Sequence, residues 1–557
     1  MRIDGYLPIA DYALIGDGHT SALVGRDGSI DWLCLPDAGS PAVFDRILDA
    51  DAGGRFELRP VERFDAVRRY REHTNVLETT FTTAAGAVRV TDAMTSLDGD
   101  VRELVRVVDA LQGDVPMQWR FAPRGEHVSL DVRAWGADDA VFTPGPRATF
   151  VASTGTPSSR EEAERAVERV SARWMDWAGR ARYDGPWREA VVRSALVLKL
   201  LAHEPTGAIL AAPTTSLPER IGGDRNWDYR YSWLRDGIYT MRALLLLGYV
   251  EEAQAFFRWQ LDAIRPDLPE PKPLYRLDRT SHEVEQELDL PGYRGSRPVR
   301  LGNDAAGQLQ LDVYGHLLES AARLRGTTGF LGADVGHELA ALADFVAESW
   351  RRKDAGIWEV RDELHHFVQS KAMCWTALDR AVSLADEGAV PPGNRARWQR
   401  EADAVRAWIE SEGWSEELGS YVRAPELADE VDGSLLSLPL CAYSSASEPR
   451  FRSTADAIVR LLGAGGPLLY RTRGAADSEG AFLACSFWHA DALGRAGRVD
   501  EGNELLGQLL ELANDVGLYA EEIDPETGEH LGNFPQGLVH LALVNAAVSL
   551  ADGDETG

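Results

Sequence analysis

Up to about residue 155 the apolar positions come in short runs separated by turn residues. "SALV-GRDGS-IDWLCL" (21–35) sets a Gly/Asp turn between two apolar runs, the mark of a β-hairpin. "VLETTFTT-AAG-AVRVTDAM" (76–94) repeats the device, and so does "RELVRVVDAL-QGD-VPMQWRF" (102–121). Short strands punctuated by turns, with no helical period between them, predict an antiparallel β-sandwich over residues 1–155. The pattern then changes. "SSREEAERAVERVSARWMDWAG" (158–179) has N-terminal serines, early glutamates and a helical period, and predicts a connecting helix within a linker at 156–185.

From residue 186 to 557 the period is that of helices. Apolar faces recur in 188–202, 238–247, 250–264, 305–323, 337–351 and 370–385, then in 394–410, 453–463, 481–494, 500–513 and 536–551. A long series of such helices with few strands fits stacked helical hairpins, a helical toroid or an irregular helical array. No repeat of fixed period appears, which disfavours a solenoid.

Length and charge narrow the class. A chain of 557 residues exceeds what one core usually supports, so two domains are expected. With 58 Lys and Arg against 88 Asp and Glu, the net charge is −30, and there is no basic cluster to offset it. Nucleic acid and anionic membrane surfaces are therefore poor partners. The N-terminus lacks the basic start and continuous apolar core of a signal peptide, and no apolar run is long enough to span a bilayer. The four cysteines (Cys34, Cys374, Cys441 and Cys485) are far apart and form no CxxC pair, so buried thiols in a reducing cytoplasm are expected.

Several chemistries find no motif. There is no GxSxG elbow, phosphate loop or HExxH helix. The glycines of "RLGNDAAGQ" do not follow a strand within a βαβ unit, as a dinucleotide site requires. His365 and His366 are adjacent, so their side chains diverge and shared metal ligation is awkward.

Three acidic positions remain, each set among aromatics. In "RNWDYRYSWLRDG" (225–237), Arg235 and Asp236 follow Tyr229, Tyr231 and Trp233; Asp236 could also simply cap the next helix. Glu359 lies in "GIWEV", where apolar neighbours would raise its pKa, as a general acid needs; a strand with the acid facing water is the plainer alternative. Glu521 and Glu522 follow Tyr519 ahead of the "DPETGE" turn, and runs of acid are often solvated. Together the three suggest sugar chemistry. Glycosidic hydrolysis needs one protonated carboxyl and one carboxylate, and sugars need aromatic faces with Arg and Asp to fork their hydroxyls.

Longer stretches resemble a known family. "APTTSLPERIGGDRNWDYRYSWLRDG", "GIWEVRDELHHFVQSKAMCWTALDRA", "GAFLACSFW" and "YAEEIDPETGEHLGNFPQG" look like the bacterial branch of glycoside hydrolase family 15, which includes glucoamylases, glucodextranases and trehalases. "IADYALIGDGHTSALVGRDGSIDWLCLPDAGSPAVFDRILD" is similar to the domain preceding the catalytic part in the trehalase-like members. The resemblance covers almost the whole chain, in order. It implies a β-sandwich followed by an (α/α)6 barrel, and an inverting mechanism that uses no metal or other cofactor. Glu359 matches the family's general acid and Glu521 its general base. Arg235 and Asp236 match the pair that grips the terminal glucose. Tyr229, Trp233 and Trp358 match pocket aromatics, and Arg471, in the looser motif "LLYRTRG", matches a further sugar-binding arginine.

One departure bears on substrate. Fungal glucoamylases carry a second carboxylate directly after the acid, and here that position is Val360. The expected partner is a small carbohydrate, with α,α-trehalose favoured over malto- or isomalto-oligosaccharides cleaved by a glucoamylase-type α-1,4/α-1,6-glucosidase. A catalytically inactive carbohydrate-binding protein is the alternative of another class, and self-association into a homo-oligomer is left open.

Overall fold

The computed structural model describes residues 2–552 apart from 97–98, 126, 282–283 and 330. The N-terminal strands form two antiparallel sheets. One has seven strands and runs in the order Tyr12–Gly16, Ser21–Gly25, Ser29–Cys34, Arg55–Pro60, Met117–Ala122, Val141–Phe142, with Ala42–Phe44 paired to the third. The other has six, in the order Asp131–Trp135, Arg147–Ser153, Glu103–Gly113, Gly86–Met94, Leu77–Thr83, Asp65–Tyr70. The sheets face each other across Phe56 and Phe150, whose ring centroids lie 6.2 Å apart. Arg106 crosses the same core fully buried. It is paired with Asp92 at 2.7 Å and donates to the Phe56 and Gly28 carbonyls of the other sheet, so the buried charge is fully bonded.

Two of the three expected hairpins form, Ser21–Gly25 with Ser29–Cys34 and Leu77–Thr83 with Gly86–Met94. The third does not. Glu103–Gly113 and Met117–Ala122 lie in different sheets, so the turn at 113–116 is a crossover between the layers. Gly and Asp serve a crossover as well as a hairpin, so the local pattern could not separate them.

Helix α1 (Arg160–Gly179) starts at Ser159, whose hydroxyl accepts the Glu162 amide at 3.3 Å. It lies on the six-stranded sheet, where Thr149 bonds Glu164 at 2.8 Å, and its Trp177 stacks on Tyr249 with centroids 4.1 Å apart. Helices α2 (Arg188–Leu201), α3 (Gly237–Leu246), α4 (Val250–Ile264), α5 (Asp312–Thr328), α6 (Ala333–Ser349) and α7 (Val368–Asp386) follow. The series ends with α8 (Arg395–Glu412), α9 (Pro449–Leu462), α10 (Leu483–Arg495), α11 (Val499–Leu510) and α12 (Gly537–Asp552).

These helices close a ring. α3 packs on α5, α5 on α7, α10 on α12, and α12 returns to α3; the 3-10 turn Gly433–Ser437 sits between α7 and α10. α2, α4, α6, α8, α9 and α11 lie outside, each against a ring member. Composition explains which helix goes where. α12 is apolar almost all round and buried along its length, whereas α8 buries only the stripe Trp398, Ala402, Val405 and Ile409. The apolar face expected at 305–323 divides in the structure into a 3-10 turn, Asp304–Gly307, and α5 beginning at Asp312. The residues between run extended and carry two glutamines to the site.

The sandwich docks on the ring's loops. Trp32 Nε1 donates to the Pro213 carbonyl at 2.8 Å, and Asn514 donates to the Ala10 and Tyr12 carbonyls at 3.1 and 2.8 Å. All four cysteines are free and buried. Among the described residues no helix is long and apolar enough to cross a membrane.

Candidate active site

Alternation of outer and inner elements makes the ring members parallel, so the connections entering them gather at one end. Each of the six connections carries a residue of one cluster: 229–236 leads into α3, 308–310 into α5, 358–359 into α7, Asp432 into the 3-10 turn, 471–482 into α10 and 521–533 into α12. Residues scattered over 300 positions meet for that reason.

On one side stands Glu359. Trp233 Nε1 donates to its Oε1 at 2.5 Å, Gln310 Nε2 lies 3.5 Å from the same oxygen, and Arg235 Nη1 is 3.6 Å away. Burial pushes this carboxyl above its ordinary pKa, against the opposing pull of Arg235. The residue is in a turn, not the solvent-facing strand that its neighbours allowed, and its φ is +57°, a conformation a glutamate adopts only when its surroundings impose it. Gln308 contributes by donating to the Glu359 and Val360 carbonyls at 3.2 Å. Arg235 Nε bonds Asp236 at 3.1 Å and its Nη1 holds the Ile357 carbonyl at 2.9 Å. Asp236 occupies the cap position of α3 but its side chain bonds no helix amide, so the capping alternative does not describe it.

On the other side stands Glu521, 2% exposed, whose Oε1 accepts the Tyr229 hydroxyl at 2.7 Å. Burial, then the facing Glu219, push its titration upward; Arg471 opposes them. Tyr229 and Trp233 join the two sides, edge to face with centroids 5.3 Å apart. Trp358 donates to Asp432 at 2.7 Å, meets Phe482 edge to face, and lies under the Arg471 guanidinium at 5.6 Å. Arg471 spends Nε and Nη2 on Glu479 and Glu219. All eight residues singled out from the sequence thus fall in one cluster. Tyr231 packs behind it against Trp233.

The sequence reading missed Gln308, Gln310, Glu219, Glu479 and Asp432. "RLGNDAAGQLQ", set aside as a weak dinucleotide motif, is the segment that brings in both glutamines. Glu219 stands in the quoted "APTTSLPERIGG" and its motif was the available signal. His365 packs on Phe367 and His366 towards Trp408, diverging as adjacency requires. Among the described residues one carboxylate group has a spacing that could hold a cation, Glu219 with Glu479 and Glu522, but Arg225 and Arg471 already pair with the first two.

Gly532 sets the space for Glu521. Its φ is +74°, and a Cβ there would come within 2.7 Å of Glu521 Oε2. Gly532→Ala is expected to displace the carboxylate and lower kcat roughly ten- to hundredfold. Steady-state kinetics beside a thermal melt checks this, and full kcat in a folded variant would refute the spacing role.

Two family models match this chain. The model described as Glycosyl hydrolases family 15 matches residues 185–548, and the one described as Trehalase-like, N-terminal matches residues 4–156. A trehalase of Mycolicibacterium smegmatis is 35% identical over 98% of this chain and 92% of its own. A trehalase of Thermoplasma acidophilum is 35% identical over 95% of this chain and 98% of its own. Among solved structures, a bacterial glucoamylase complexed with acarbose superposes with a TM-score of 0.70, covering 98% of this chain and 94% of that one; at 13% identity it shows the fold.

Proposed function

The chain belongs to glycosyl hydrolase family 15 and is a glycoside hydrolase, and from that premise we propose that it hydrolyses α,α-trehalose with inversion. The supporting observation is the pair of carboxyls, Glu359 half-buried and Glu521 buried, presented by separate loops and each oriented by an aromatic donor. The near full-length likeness to trehalases supports the substrate.

In this reading Glu359 is the general acid. Burial raises its pKa, the direction a proton donor requires, and it delivers its proton to the glycosidic oxygen as the C–O bond breaks. Positive charge then spreads over C1 and the ring oxygen. Glu521 takes a proton from a water on the opposite face, and that water's oxygen bonds to C1. Arg235 and Asp236 fork hydroxyls of the glucose being cleaved, while Tyr229, Trp233 and Trp358 cover its faces. Arg471 holds the far wall through Trp358 and Phe482. Four reduced, buried thiols support a cytoplasmic setting.

The test is glucose release from trehalose, maltose, isomaltose and maltoheptaose at equal concentration, with anomers followed by NMR. Trehalose is expected to be preferred and to yield α- and β-glucose in equal first-formed amounts, the α from the departing unit. Only α-glucose from trehalose would refute inversion. Preference for the other three would move the substrate to gluco-oligosaccharides, and no release from any would point to a binding protein.

A further inference from the structure

A buried knot of charge lies beneath the base loop. Glu219, Glu479 and Glu522 each bring one oxygen within 4.8 Å of the others. Arg471 Nη2 reaches Glu219 at 3.0 Å and its Nε reaches Glu479 at 2.6 Å. Arg225 spans the same two acids, with Nη2 3.1 Å from Glu479, and Trp227 Nε1 donates to Glu219 at 2.9 Å. Two carboxylates and two guanidiniums therefore balance.

Glu522 is left over. It is fully buried on the strand Glu522–Ile523, between Phe482 and Leu531 of the neighbouring strands. Its Oε2 accepts the Gly480 amide at 2.8 Å, and its Oε1 has no hydrogen-bond partner among the described residues. The charged groups facing it are Glu219, Glu479, Arg471 and Glu521, with the Cys485 thiol alongside. Were it ionised together with Glu521, the knot would carry two uncompensated negative charges away from water, an arrangement proteins avoid by protonating one. Burial and the facing carboxylates also hold its pKa well above the ordinary range.

We propose that Glu522 is a positioning residue kept as the neutral carboxylic acid, its hydroxyl turned to the Glu219 and Glu479 carboxylates, so that Glu521 alone carries net charge there. The proposal rests on Glu521 being the base. The proton that the cluster retains then sits on the neighbour, leaving Glu521 free to accept the one from water.

The experiment compares kcat/KM against pH for wild type and Glu522→Gln, with infrared detection of protonated carboxyl groups in protein carrying isotopically labelled glutamate. Gln reproduces a neutral acid, so the acidic limb is expected to stay where wild type has it. One protonated-glutamate band, present in wild type and in Glu521→Gln, is expected to vanish. An acidic limb that falls by about one pH unit, a tenfold change at fixed pH, with the band intact, would mean that Glu522 was ionised and overturn the proposal. Should Glu522→Gln fail to fold, the labelled double variant Glu359→Gln/Glu521→Gln decides, because neither the acid nor the base can then give the band. One remaining band at neutral pH supports the neutral Glu522, and none overturns it. Full turnover in Glu521→Gln would sink the base assignment instead, and the infrared band would still report the proton on Glu522.

Discussion

Glu521→Gln is expected to lower kcat on trehalose by roughly 10²- to 10⁴-fold while sugar affinity changes little. The amide keeps the size of the side chain and can still accept the Tyr229 hydroxyl that holds Glu521 Oε1 at 2.7 Å. What it loses is the capacity to take a proton from water, a demand that arises in the transition state and not in the bound ground state. The pH profile carries the same information. The base works as the carboxylate, so activity rises as pH passes upward through its pKa, and burial with Glu219 opposite places that limb above the ordinary carboxylate range. The residual activity of the variant is expected to lack the limb. Turnover kinetics beside calorimetric titration with trehalose separates the two effects. Equal losses of affinity and turnover would show that Glu521 binds sugar and does not act as base.

Glu359→Gln is expected to cost a similar 10²- to 10⁴-fold on trehalose, and much less on α-glucosyl fluoride, whose departing fluoride needs no proton. The contrast between the two substrates is the diagnostic, because a distorted pocket would slow both alike. Gln can keep the contact with Trp233 Nε1, and it inherits the same strained backbone at φ +57°, so geometry is preserved while the proton is lost. For the wild type the sign is fixed by the role. The acid works protonated, so activity falls as pH rises through its pKa, and desolvation moves that alkaline limb upward against the pull of Arg235, 3.6 Å away. In the variant the alkaline limb is expected to disappear. A profile that stays bell-shaped would mean that another group supplies the proton.

Much of this was legible in the chain. The change from period-two runs to helical faces near residue 158 reflects side-chain direction within single elements, and local sequence carries it directly. The helix beginning after Ser159 follows from one hydroxyl and two glutamates. The eight site residues were found through long motifs, not through their surroundings, because Glu359 in "GIWEV" and Glu521 in "AEEID" each had an ordinary alternative. Gln310 and Glu479 gave no such signal: polar side chains in loops are common, and nothing nearby marks which ones turn inward.

By itself, then, the sequence determined the two architectures, the inner or outer place of helices such as α12 and α8, and the residue types available for catalysis. Only the tertiary structure decided that Gly113 begins a crossover between sheets, that a five-residue 3-10 turn at 433–437 completes the ring, and which of 88 acids are stripped of water together. The reason is physical. Periodicity and capping act within a few residues, whereas the pKa of Glu359 or Glu522 is set by burial and by charges such as Arg235 or Glu219, more than a hundred positions away and brought close when the ring closes.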